Sequence, residues 1–278
     1  METANNTQEN SADLSLPAGQ IVAVANQKGG VGKTTTAVNL ATALAAVKKN
    51  VLIIDFDPQG NASTGLGLSQ AERKTNIYNV LTGHAPITDA IQKTSIPHLY
   101  IAPSTVDLSA AEIELAQIQG REYILKYQLT ELTDKYDYII IDCPPSLGML
   151  TLNALVAAQS VLIPLQCEFY ALEGLSHLLK TIKRIKAKLN PELKLHGVVL
   201  TMYDKRNKLT AQVEIDVRQY FGHDVFDTVI PRNVKISEAP SHGQPAIIYD
   251  HRCNGSVAYM HLAKEIIQRH EETLAEHV

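Results

Sequence analysis

Along this chain, short continuous apolar runs rich in Val and Ile alternate with stretches whose apolar residues recur at helical spacing. The runs are IVAVA (21–25), VLIIDF (51–56), LYIAP (99–103), YIIID (138–142), SVLIPL (160–165), HGVVLTM (196–202) and VFDTVI (225–230). They are apolar at consecutive rather than alternate positions, the pattern of strands covered on both faces and hence of a mostly parallel sheet. Between them, TTAVNLATALAAV (35–47), AEIELAQIQ (111–119), EGLSHLLKTIKRIKAKL (173–189) and AQVEIDVRQYF (211–221) predict helices. Strands and helices in this order predict a doubly wound α/β fold, a mostly parallel sheet with helices on both faces. No repeat or Pro/Gly-rich linker interrupts the alternation, so residues 19–278 are expected to form a single domain. The first 18 residues are polar, carry no Lys or Arg and lack the apolar run of a signal peptide, so a disordered tail is expected over 1–18.

Composition narrows the classes. With 278 residues, 45% of them hydrophobic and 19% charged, the chain can build a large core. The most apolar later stretch, LNALVAAQSVLIPL (152–165), is broken by Asn153, Gln159, Ser160 and Pro164. It is too short and too polar to cross a bilayer, and a soluble cytoplasmic protein is expected. Cys143, Cys167 and Cys253 form no C-x-x-C pair, which argues against a zinc site or disulfide framework and for buried free thiols. A net charge of −4 gives no reason to expect nucleic acid, but its distribution does. Lys180, Lys183, Arg184, Lys186, Lys188, Lys194, Lys205, Arg206 and Lys208 face only Glu192 and Asp204 in the same stretch. Such a band is either a solvated helix face or a surface for phosphates.

The chemistry collects where the apolar runs end. VANQKGGVGKTTTAVNLATAL (24–44) follows the first run and opens the first helix. The general P-loop G-x-x-x-x-G-K-[ST] asks for glycine at position 27, which is Gln27, while Gly32-Lys33-Thr34 is kept. In that setting the backbone of Gly29, Gly30, Val31, Gly32, Lys33, Thr34 and Thr35 turns N–H groups and a helix N-terminus toward a phosphate. Lys33 would neutralise terminal phosphate charge, and the Thr34 hydroxyl would ligate Mg²⁺ directly. Asp55 and Asp57 alternate to one side of the second strand's end, and Asp142 closes YDYIIIDCPPS (136–146). Carboxylates beside a triphosphate repel it unless a metal intervenes or one of them orients water. Asp142 stands where P-loop NTPases hold magnesium through water.

KGGVGKTTT (28–36), VLIIDFDPQGNASTGLG (51–67), YDYIIIDCPPSLG (136–148) and IPRNVKISEAPSHGQPAIIYD (230–250) together resemble the ParA/Soj chromosome- and plasmid-partition ATPases. These lie within the deviant Walker A P-loop group, and the resemblance spans residues 20–270. It implies that Lys28, the second lysine of the loop, reaches across a nucleotide sandwich homodimer to the partner's ATP. It implies that Asp57 positions the attacking water, that Asp55 and Asp142 hold Mg²⁺ through water, and that Pro231 and Asn233 meet the adenine. Arg206 and Lys235 match positions that bind double-stranded DNA without sequence preference, and a ParB-like centromere-binding partner would stimulate hydrolysis at the nucleoid. Guanine-specific P-loop proteins use N-K-x-D, whereas Asn207-Lys208-Leu209-Thr210 lacks the Asp, so ATP is expected. The alternative within the group, a MinD-like membrane-associated regulator, needs a basic amphipathic C-terminal helix. The ending QRHEETLAEHV, with Glu271, Glu272 and Glu276, argues against membrane attachment.

Overall fold

A computed structural model describes residues 19–168 and 171–275. The tail expected to be disordered, residues 1–18, lies outside them. Eight strands form one sheet: β1 (Gln20–Val24), β2 (Val51–Asp55), β3 (Gln92–Lys93), β4 (Leu99–Ala102), β5 (Tyr138–Asp142), β6 (Ser160–Gln166), β7 (Lys194–Tyr203) and β8 (Val225–Pro231). Their spatial order is β3-β4-β2-β5-β1-β6-β7-β8. Every neighbouring pair is parallel except β3 with β4. The expected doubly wound fold is present.

The continuous apolar runs are what a sheet covered on both faces requires, because alternate residues serve different cores. Ile21, Ala23, Leu52, Ile54, Ile139 and Ile141 join one cluster. Val22, Val24, Val51, Ile53, Tyr138 and Ile140 join the other. Helices Met149–Ala157, Ala171–Lys188 and Lys208–Phe221 bring Leu150, Leu178 and Val217 to the first face. Helices Lys33–Ala46 and Asn254–Ala275 bring Leu40, Leu44, Leu262 and Ile266 to the second.

Where the pattern misled, the reason is local. The apolar stretch 152–165 is divided between helix Met149–Ala157 and β6, since Asn190 holds the turn by donating to Leu155 O and Ala158 O. The helix expected over 111–119 is Leu108–Glu114, followed by a single tighter turn. β3 is two residues long and has no apolar signature. Cys143 and Cys167 are buried and Cys253 is half-buried, all free thiols. Among the described residues no helix is long and apolar enough to cross a membrane.

The topology places the site. From β1 the chain moves to β2 on one side of β5, whereas from β5 it moves to β6 on the far side of β1. Successive connections therefore leave the β1/β5 pair in opposite directions, opening a crevice at the strands' carboxyl ends.

Candidate active site

Three strand ends meet at that crevice. The loop after β1 runs into helix Lys33–Ala46, with Gly30 at φ 74° and Gly32 at φ 88°. Both angles lie in the left-handed region that glycine enters without penalty. A Cβ at Gly29 or Gly30 would meet nothing within 4 Å, so the absent side chains leave the rim of the cavity open. The loop is tied from behind by residues with no local sequence signal. Asn26 donates to Pro164 O at 2.7 Å and accepts from Lys28 N at 3.0 Å, and Thr201 donates to Val31 O at 2.8 Å. The resulting cavity, about 620 Å³, is lined by Gly29, Lys33, Thr34, Asp57 and Met202 among others.

Lys33 is only 7% exposed and donates to Lys28 O at 3.3 Å. Burial lowers its pKa, opposed chiefly by the charge of Asp142 and, more weakly, by Cys143 and Asp57. The register pairs Asp55 directly with Asp142 across β2 and β5, which sets two carboxyls side by side. Burial pushes Asp55 up to about 6 despite two hydrogen bonds from Ser63, at 2.8 Å from the amide and 2.6 Å from the hydroxyl. Burial raises Asp142 well above the usual carboxylate range, with the charge of Asp55 adding to it and Thr34 and Lys33 opposing. Asp57 accepts from Gln59 N at 3.0 Å, and its own carbonyl accepts from Gly60 N at 2.9 Å.

This donor set fits a small hard cation. Asp55 Oδ1 and both Asp142 oxygens are buried and lack a hydrogen-bond partner of ordinary geometry. Among the described residues no group of three His, Cys, Asp or Glu could hold a metal unaided. Both facts suit magnesium, which keeps water and phosphate oxygens as most of its ligands.

A family model described as an AAA domain matches residues 19–195. The chromosome partitioning protein ParA of Caulobacter vibrioides is 55% identical over 258 residues, which cover 92% of this chain and 97% of that protein. The chain belongs to the ParA/Soj family of partition ATPases. The sporulation initiation inhibitor protein Soj of Bacillus subtilis is 53% identical over 248 residues, covering 89% and 98%. Among solved structures, the Mycobacterium smegmatis cobyrinic acid a,c-diamide synthase with bound ADP and magnesium superposes with a TM-score of 0.80 at 36% identity, covering 91% and 96%.

Other residues singled out in this ParA/Soj chain lie further from the cavity floor. Lys28 pairs with Glu168 within the chain, a partner that no motif announced. Pro231 lines a second cavity of about 690 Å³ together with Tyr203, Arg206, Arg232 and His261. Consecutive residues of β7 line the two cavities, Met202 the first and Tyr203 the second. The Asn233 side chain caps helix Val234–Glu238 by accepting from Lys235 N at 2.8 Å. Arg206 is 89% exposed and held at both ends of its fork by Asp204, at 3.0 and 2.9 Å. Lys235 pairs with Glu238 at 3.0 Å. The two expected DNA cations thus each have a carboxylate beside them. The lysines and arginine of helix Ala171–Lys188 are exposed.

Proposed function

We propose that this partition ATPase is a nucleotide-operated DNA switch, acting as one unit over residues 19–278. ATP occupies the loop between β1 and helix Lys33–Ala46, with Lys33 against the terminal phosphates and the adenine toward Pro231 and Asn233. Thr34 holds Mg²⁺ directly, and Asp55 and Asp142 hold it through water. Bound there, the ion would supply positive charge against the phosphate oxygens. Asp57 orients the attacking water at the cavity mouth. Two ATP-loaded chains close face to face, each giving Lys28 to the other's phosphates, so the Lys28–Glu168 pair opens as the dimer forms. The dimer doubles the basic surface around Arg206, Lys235 and helix Ala171–Lys188, and binds nucleoid DNA through phosphates without reading sequence. A ParB-like partner accelerates hydrolysis, and the cytoplasmic monomers release the DNA.

The observation that carries this reading is the convergence of Lys33, Asp55, Asp57 and Asp142 at the carboxyl ends of three strands, in a chain of this family. The test is binding to two unrelated DNA duplexes with ATP, with ADP and without nucleotide, alongside binding to anionic liposomes. ATP-dependent binding to both duplexes is expected. Liposome binding without DNA binding would replace the reading with membrane cycling, and strong preference for one duplex would replace it with sequence recognition.

A further inference from the structure

Beyond Asp57 the chain turns through Gly60, a short helix Asn61–Gly65, and Gly67. One buried guanidinium holds this turn. Arg73 is 3% exposed, and its Nη1 donates to Gly60 O at 3.2 Å and Ser104 O at 3.3 Å. Its Nη2 donates to Thr64 Oγ1 at 2.8 Å and Leu68 O at 2.7 Å. Three of these four acceptors belong to the segment that follows Asp57, and none is a carboxylate. Burial lowers the pKa of Arg73 and the charges of Asp55 and Glu72 oppose that only in part, so a guanidinium whose hydrogen bonds all go to neutral oxygens costs more here than an apolar side chain of the same volume. Packing alone therefore does not account for an arginine here.

The turn is connected to the catalytic carboxylates at both ends. Gly60 N donates to Asp57 O, and Gly60 O receives Arg73. Gly60 lies at φ 63°, and a Cβ on it would stand 2.5 Å from Arg73 Nη1 and 3.0 Å from Ser104 O. The guanidinium thus comes as close to this peptide as glycine allows. On the other side Ser63 donates to Asp55 Oδ2 and accepts from Ser104 N at 3.2 Å, so the backbone of Ser104, through its N–H and its carbonyl, links the Arg73 anchor to Asp55. Arg73 itself does not line the nucleotide cavity. A planar fork can reach four oxygens in four directions, whereas an ammonium offers three donors from a single point.

We propose that Arg73 is a positioning residue for hydrolysis: it fixes the Gly60 turn and so holds the Asp57 carboxylate at the phosphate cavity, without touching nucleotide. The inference rests on the reading of Asp57 as the group that orients water.

The test is a double-mutant cycle of Arg73→Lys and Asp57→Asn, read by single-turnover ATP hydrolysis and by MgADP titration. Arg73→Lys is expected to lower the hydrolysis rate roughly 10- to 100-fold, the cost of a small misplacement of a reacting group, with MgADP affinity kept within about twofold. In the Asp57→Asn background the same change should cost nothing further. An Arg73→Lys variant with normal turnover, losses that simply multiply in the double variant, or a fall in MgADP affinity parallel to that in rate would each overturn the proposal. Normal turnover in Asp57→Asn would instead remove the reading of Asp57, and the role of Arg73 with it. Loss of turnover in Asp57→Asn beside a normal Arg73→Lys would leave Asp57 standing and remove Arg73 alone.

Discussion

Lys28 and Lys33 share one loop but answer to different charges, and their substitution should separate binding from turnover. Lys33 is buried with Asp142 and Asp57 as its electrostatic company. Lys33→Ala is expected to cost about 2 to 5 kcal/mol of ATP affinity, since it strips a buried charge from the phosphates. A nucleotide titration that shows wild-type affinity would detach Lys33 from the site. Lys28 is half-exposed and paired with Glu168, so Lys28→Ala should leave monomer affinity nearly intact while abolishing ATP-dependent dimers on size exclusion. Asp57→Ala should keep ATP and the dimer but lose ~10²- to 10⁴-fold in rate. The residues that gather at the carboxyl ends of the strands were legible because each closes or follows an apolar run, where strand ends in this fold deliver their side chains. Asn26, Thr201, Ser63, Arg73 and Glu168 were not. They act through the backbone or across distances in sequence, and an isolated Asn, Thr or Arg carries no spacing that marks such a role.

Among elements, helix Asn254–Ala275 illustrates how a segment without a motif holds the helix that opens at the phosphate loop. Its Tyr259 hydroxyl meets Thr36 Oγ1 at 3.2 Å, and Leu262 is fully buried against the sheet face that helix Lys33–Ala46 also covers. Leu262→Ala should cost about 2 to 5 kcal/mol, read as a lower urea midpoint with an unchanged slope. β7 carries a titration of its own. His196 Nδ1 lies 3.1 Å from Ser160 Oγ, Nε2 is out of water without a partner, and burial, with Arg269 and His270 nearby, pushes the ring down to about 4. The unfolded chain takes up this proton more readily than the folded one. The stability linked to the neutral ring is therefore full above pH 6.5 and lost as pH falls toward 4. Between about pH 7 and pH 5 the wild type should lose about 2 kcal/mol more than His196→Gln, and equal losses would dismiss the ring as a sensor. Most strands were legible because both-face burial writes itself as consecutive apolar residues. Helix Met149–Ala157 was not, because it is apolar nearly all round and runs directly into a strand of the same character.

For the molecule as a whole, phosphate-dominated DNA binding makes a salt series decisive. Affinity of the ATP form should fall roughly 10³- to 10⁵-fold between about 50 and 200 mM salt if about 6 to 10 phosphates are contacted. Arg206→Glu or Lys235→Glu should remove DNA binding with little change in basal hydrolysis, and tight binding that ignores both salt and substitution would exclude this surface. The strand order has a further meaning during synthesis of the chain. Among the described strands β1 leaves the ribosome before the others of its sheet, yet its partners there are Tyr138–Asp142 and the strand beginning at Ser160. At about 5–20 residues per second, the phosphate loop waits roughly 7 to 30 seconds for the neighbours that shape it. ATP can thus engage only a chain already built past β6, so nucleotide capture by a nascent chain would mark the moment its sheet closes around β1.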